Sequence, residues 1–176
     1  PAFEAMQGLF KGTQTLYLYA DGEQEIIDGV TRSKAAGIQK VVLVGGYQAH
    51  KITDFLKSHN IPVLVNFTHT LPNLNDDAYD LPYRLPKLLA DAGLLVGIQN
   101  ADASNFQTRN LPFYAGQVVG QGLDKEKALA LYEQVFVEYV DVYSVLYYYT
   151  VITCCYLISF DCEYAYKSSR CCITLY

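Results

Sequence analysis

The sequence predicts an α/β fold built from parallel βα units, and two observations carry that prediction. Short apolar runs rich in Val, Leu, Ile and Tyr recur at 15–20 (TLYLYA), 40–45 (KVVLVG), 62–67 (PVLVNF) and 94–98 (LLVGI). Between them lie segments whose apolar residues repeat at helical spacing. Near-continuous apolar runs of this length suit strands covered on both faces, as in parallel sheets, and strand–helix–strand order at this spacing implies right-handed crossovers.

Each helix follows from local signals. Residues 23–36 place Ile26, Ile27 and Val30 on one face, and Gly37 stops the pattern. Residues 49–59 place Ile52, Phe55 and Leu56 on one face and end before Ile61 and Pro62, because the residue before a proline avoids the helical region. Residues 85–92 (LPKLLADA) put Pro86 in the first turn and Gly93 just past the last. Four βα units leave two completions open, a doubly wound sheet or half of an eight-stranded barrel. Gly45 and Gly46 lack the further glycine of a GxGxxG turn, which weakens a dinucleotide site.

In both architectures the active face lies at the C-terminal strand ends. Those ends carry Tyr19 and Asp21; Gly46, Tyr47 and Gln48; Asn66, Thr68 and His69; and Asn100, Asp102 and Asn105. Asp102 and His69 are the sharpest members, since carboxylate and imidazole hold and activate a hydrolytic zinc, but three protein ligands are the usual minimum. His50 reads as a solvated or capping residue and His59 as a helix C-terminal partner. Asp76, Asp77 and Asp80 read as a solvated acidic loop, because no glycine-turned calcium pattern accompanies them. The long connections 69–84 and 99–111 read as functional loops, with Arg109 placed to hold a carboxylate and Asn110 beside it.

Apolar residues make up 51% of the 176-residue chain and the formal net charge is −5, which suits a buried core and disfavours a nucleic-acid or polybasic membrane surface. The chain opens at Pro1 within sequence that reads as structured, with no signal peptide visible, so the true N-terminus is expected to lie upstream of a soluble domain.

The segments at 41–72, at 76–93 and at 108–131 resemble the C-terminal barrel region of amidohydrolase-superfamily proteins, nearest the imidazolonepropionase-related branch. RNLPF followed by AG, together with DLPYxLPxLL in order, carries the resemblance over residues 9–131. It implies the C-terminal half of a TIM-type (β/α)8 barrel, with these four strands as the fifth to eighth. It also implies a metal-dependent hydrolase acting on amide or cyclic amide C–N bonds of a small molecule. A divalent metal, zinc by this resemblance, is implied for the intact parent; its HxH pair and fourth-strand ligand would lie upstream, so no tightly bound metal and no activity are expected of this chain alone. Tyr19 occupies the expected position of one metal-binding His, and Gly45 and Gly46 that of a second. Asp102 matches the eighth-strand Asp as catalytic and metal residue, while His69, Arg109 and Asn110 fall on the substrate side. The alternatives are a non-catalytic α/β module that binds a small ligand, a degenerate pseudoenzyme, and a half barrel that self-associates through open sheet edges.

Residues 132–176 depart from this pattern. All 12 Gly and all 6 Pro lie at or before Gly122, whereas all 5 Cys lie at or after Cys154 and ten of the 16 Tyr fall after residue 131. At usual abundance roughly four Gly and three Pro would be expected beyond residue 122. The family's closing helix and small β-sandwich are not legible there. The uncharged stretch 142–160 has the length of a bilayer span, but the tyrosines at 147–149 and Asp at both ends argue against one. Adjacent Cys154 and Cys155, and Cys171 and Cys172, lack zinc spacing. The expected division is therefore a partial barrel over 1–131 and a Tyr/Cys-rich tail over 132–176, read as a frameshifted or mis-assembled frame. DNA sequencing across codons 125–140 is expected to show the shift; an intact single frame overturns it.

Overall fold

A computed structural model describes residues 6–66, 68–99 and 110–131. One sheet holds β1 (Leu16–Ala20), β2 (Val41–Gly45), β3 (Val63–Asn66) and β4 (Val96–Gln99). All neighbours pair in parallel, and the spatial order is the chain order, β1-β2-β3-β4. The helices are α1 (Gln7–Phe10), α2 (Glu23–Ala35), α3 (Thr53–Ser58), α4 (Leu81–Asp91) and α5 (Leu111–Gly120), and residues 125–131 are also helical. No helix among the described residues is long and apolar enough to cross a membrane.

Strand order decides between the two completions. A doubly wound sheet reverses its order at a switch point, which sends helices to both faces. Strands that follow one another in chain order, joined by right-handed crossovers, put every helix on one face. The packing agrees. The Cδ2 of Leu18 lies 2.7 Å from where a side chain on Gly29 of α2 would begin, so Leu18 faces that helix. Leu43 and Val63 close in the same way beneath the 3-10 turn Ala49–Lys51. The register then assigns Val41, Leu43, Val63, Val65, Val96 and Ile98 to the helix-covered face, where all six are buried. Full burial of such a side chain is worth roughly 1.5–3 kcal/mol, so this layer is the main source of stability.

The opposite face carries Tyr17, Tyr19, Val42, Val44, Leu64, Asn66 and Gln99. Val42 and Leu64 are buried there with Val44 packed against them, forming a small apolar cluster separate from the helix-side core. Tyr17 and Tyr19 are 41% and 58% exposed. The expectation that every strand is covered on both faces thus fails at β1. It is an edge strand among the described residues, and its alternating burial is that of a half-covered strand.

Two helices differ from the sequence expectation. The single helix over 49–59 is two pieces, the 3-10 turn Ala49–Lys51 and α3, broken at Ile52 with φ −124° and ψ 34°. Ile52 and Ala49 are both buried, so packing overrides the continuous helical pattern. Helix α4 begins at Leu81, four residues before the expected start, with Pro82 rather than Pro86 in the first turn. Pro86 is interior and removes one i→i−4 bond, but Pro82, Leu85, Pro86 and Leu89 form one buried stripe that offsets the loss. The connection after β3 is correspondingly shorter than expected. Helix α5 starts at the Asn110 N-cap with Pro112 in its first turn, and buries Leu111, Ala115 and Val118.

Strand β2 ends on Gly45 and Gly46 with φ of +91° and +67°, a conformation open to glycine and strained for other residues. A Cβ at position 46 would also stand 3.0 Å from Val63 Cγ1 and 3.1 Å from Leu43 Cδ2. Gly46→Ala is expected to destabilise the chain by roughly 1–3 kcal/mol, measured by urea denaturation. A neutral result would show that this turn relaxes freely.

Candidate functional site

The C-terminal ends of β1 and β2 are tied together by one carboxylate. Asp21 Oδ1 accepts the Tyr47 backbone N–H at 3.2 Å, and the backbone oxygen of Asp21 accepts the Gln48 N–H at 3.0 Å. Gln48 Oε1 returns to accept the N–H of Glu23 at 2.9 Å, and Glu25 accepts the Gly22 N–H at 3.3 Å, which closes the start of α2. Asp21 is thereby held as a structural clamp. A side chain on Gly45 would begin 2.6 Å from Asp21 Oδ1, so an imidazole cannot be accommodated at that strand end without displacing the clamp.

Tyr47 extends the clamp to the loop after β3. Its ring is buried, its hydroxyl donates to Asp77 Oδ2 at 2.8 Å, and the Tyr47 hydroxyl oxygen in turn accepts the Asn73 N–H at 3.1 Å. Burial pushes the phenol above its ordinary value; the Asn73 donor opposes this, and donation to anionic Asp77 reinforces it. Asp77 is therefore a loop anchor. His50 Nδ1 lies 3.2 Å from the Tyr47 carbonyl, which closes the turn. His59 Nδ1 meets the Phe55 carbonyl at 2.9 Å, the C-terminal partnership expected of it.

A cleft of about 480 Å³ opens beside these loops, lined by His69, Asn110, Phe113, Tyr114 and Gln117. His69 is exposed, stands edge-on to Tyr83 at 5.5 Å between ring centres, and has its Nδ1 3.3 Å from Gln117 Nε2. Two residues expected on the substrate side, His69 and Asn110, thus share one cleft. Tyr19 is not among its described lining residues; it lies on the helix-free face of the edge strand β1, one residue before its C-terminal end and in register with Val44. Asp102 and Arg109, with Asn100, Asn105 and residues 132–176, lie outside the described residues.

Sequence reasoning missed Gln117, Phe113 and Tyr114 because the α5 pattern went unassigned, and missed Gln99 because the apolar run stops at Ile98. The signal for Gln99 was alternation: it is the next residue after Gly97 on the helix-free face. Among the described residues, five buried polar atoms have no protein partner: Asn66 Nδ2 and Oδ1, Thr68 Oγ1, Gln99 Nε2 and Gln117 Oε1. Each such atom costs roughly 1–3 kcal/mol when left unpaired, so Asn66, Thr68 and Gln99 at the strand ends and Gln117 on α5 are held at a stability cost.

Donor chemistry tests the implied metal. Among the described residues no three His, Cys, Asp or Glu side chains gather. Asp21 and Asp77 are committed to loop hydrogen bonds, and the ends of β3 and β4 carry neutral amides. The described residues therefore do not fit a divalent metal.

No protein-family model matches the sequence, and no curated protein does either. A solved amidohydrolase from Thermotoga maritima superposes with a TM-score of 0.57 at 17% identity, over 73% of this chain and 33% of that one. At this identity the likeness is one of fold. Together with the one-sided helix layer, it is consistent with an α/β chain that forms part of a TIM-type barrel. The chain spans about a third of that structure's length.

Tyr47→Phe removes one donor and one acceptor from the clamp and is expected to cost roughly 1–3 kcal/mol at neutral pH. The wild-type phenol is protonated in this clamp, and its raised pKa means the folded state holds the proton more tightly than the unfolded chain. The wild-type advantage is therefore whole at neutral pH and shrinks as pH climbs past about 10. Denaturant midpoints of both proteins against pH measure this; a gap that widens in alkali contradicts it.

Proposed function

We propose that this chain forms the C-terminal barrel wall of an amidohydrolase-like hydrolase and that its described residues contribute substrate contacts rather than metal ligands. The observation that carries the reading is the sheet itself: four parallel strands in chain order with helices on one face, similar in fold to a solved amidohydrolase. The RNLPF and LPYRLP strings that resemble the imidazolonepropionase-related branch lead into α5, which lines the cleft, and through α4, whose Tyr83 meets His69. Substrates of amide or cyclic amide type follow from that resemblance.

In this reading His69, Asn110 and Gln117 orient a small polar substrate, and Phe113 and Tyr114 shield its apolar part. A divalent metal would be held by residues other than the described ones, with Asp102 a candidate, and would supply Lewis-acid activation. A second reading, a small-ligand-binding module without catalysis, is supported by the same cleft, whose described lining is one imidazole, two amides and two aromatic rings.

The purified 176-residue chain, incubated with zinc and desalted, is expected to retain far less than one equivalent by elemental analysis and to leave N-acyl and cyclic amides intact. Stoichiometric zinc with metal-dependent hydrolysis overturns the division of labour. Hydrolysis by a longer protein that contains this chain, lost on chelation, supports the hydrolase over the binding module.

A further inference from the structure

Charge is divided between the two ends of the sheet. Where β1 and β2 begin, Lys11, Lys34 and Lys40 gather around Gln39, with Arg32 in the same last turn of α2. Lys34 Nζ donates to the Gln39 carbonyl at 2.8 Å, a side chain on Gly12 would begin 2.7 Å from Gln39 Oε1, and the Leu16 N–H donates to the Lys40 carbonyl at 2.9 Å. No Asp or Glu occurs in 6–20 or 29–40, and Met6 and Phe10 beside this cluster are exposed. At the opposite end, where β3 finishes, residues 70–80 carry three Asp and no Lys or Arg, and Leu71 and Tyr79 are 80% and 83% exposed. Tyr47 fixes that loop through Asp77 and Asn73, Arg84 pairs with Asp80, and Asp76 is exposed. Helix dipoles account for Glu23, Glu25, Arg32 and Lys34 at the ends of α2. They do not account for Lys40 and Asp76, which lie outside the helices, or for the apolar side chains bared at both ends.

We propose that the basic end of one chain receives the 70–80 loop of a second copy, so that copies associate head to tail. The two surfaces match in charge and in apolar content: Leu71 and Tyr79 meet Met6 and Phe10, while Asp76 faces Lys11 and Lys40. Exposed ion pairs are worth little singly, so the apolar contacts supply most of the affinity and the charges fix the orientation. Because the loop is already tied to Tyr47, it reaches its partner without first being ordered. The two surfaces are different and lie at opposite ends, so each added copy leaves one of each free and the assembly grows as an open row. The contact uses the ends of the sheet rather than its strand edges, and it goes beyond the hydrolase reading, which it does not require.

The test is sedimentation velocity of the full 176-residue chain and two variants, with circular dichroism to confirm folding. Wild type is expected to grow past the dimer as concentration rises. Lys11→Glu with Lys40→Glu spoils the basic end and keeps the loop; Leu71→Ser with Tyr79→Ser spoils the loop and keeps the basic end. Each variant alone is expected to associate at least about tenfold more weakly. An equimolar mixture leaves one intact surface on each partner, so it is expected to give a 1:1 dimer that grows no further. If the double charge reversal does not fold, Lys40→Glu alone takes its place. A wild type that stays monomeric to about 1 mM, variants that associate like wild type (as edge pairing would give), or a mixture without the dimer overturns the proposal. No turnover is read, so failure here leaves the hydrolase reading intact, and absence of hydrolysis leaves this contact intact.

Discussion

Parallel strands need long crossovers, and the right-handed crossover leaves no choice of side once strands are laid down in chain order. That single constraint organises the described residues. It places α2, α3 and α4 in one layer over Val41, Leu43, Val63, Val65, Val96 and Ile98, and it leaves a second face for which these helices provide no cover. A doubly wound sheet would have satisfied both faces with helices. Here the second face is suited to curl toward a barrel interior, and it carries the side chains least explained by folding.

Function in such a sheet depends on how strand ends are fixed. The Asp21 carboxylate, the Tyr47 hydroxyl and the Asp77 carboxylate form a relay that joins β1, β2 and the loop after β3. This relay consumes the acidic and phenolic groups that a sequence reader would assign to chemistry. What remains available at the other strand ends is neutral: Asn66, Thr68 and Gln99, with Gln117 on α5. Polar atoms buried without protein partners are poor stabilisers, so these side chains add little to the strength of the sheet.

Much of the fold was legible in the sequence because the apolar runs and helical spacings report burial directly. The four strands fall within a residue or two of expectation, and α2 stops one residue before it. Legibility failed where tertiary packing overrode a local pattern. Ile52 breaks a continuous helical repeat because its side chain is drawn into the core, and α4 accepts Pro86 because that ring belongs to a buried stripe. Site residues were less legible. His69 and Asn110 were named and do share a cleft, but their partner Gln117 lies 48 positions from His69 and nothing local announces the pairing. The roles of Asp21 and Asp77 were hidden for the same reason: Asp21 read as one of a polar set at the strand ends and Asp77 as part of a solvated loop, and only the fold supplies Tyr47 as their common partner.

The double glycine at the end of β2 has a consequence for redesign. The backbone there lies in a region strained for other side chains, and Asp21 fills the space a Cβ on Gly45 would need. Placing an imidazole at position 45 would require the turn to unwind, the clamp to release and the loop beyond it to find another anchor. Three costs arise together, so a metal ligand cannot be grafted at this strand end by one substitution.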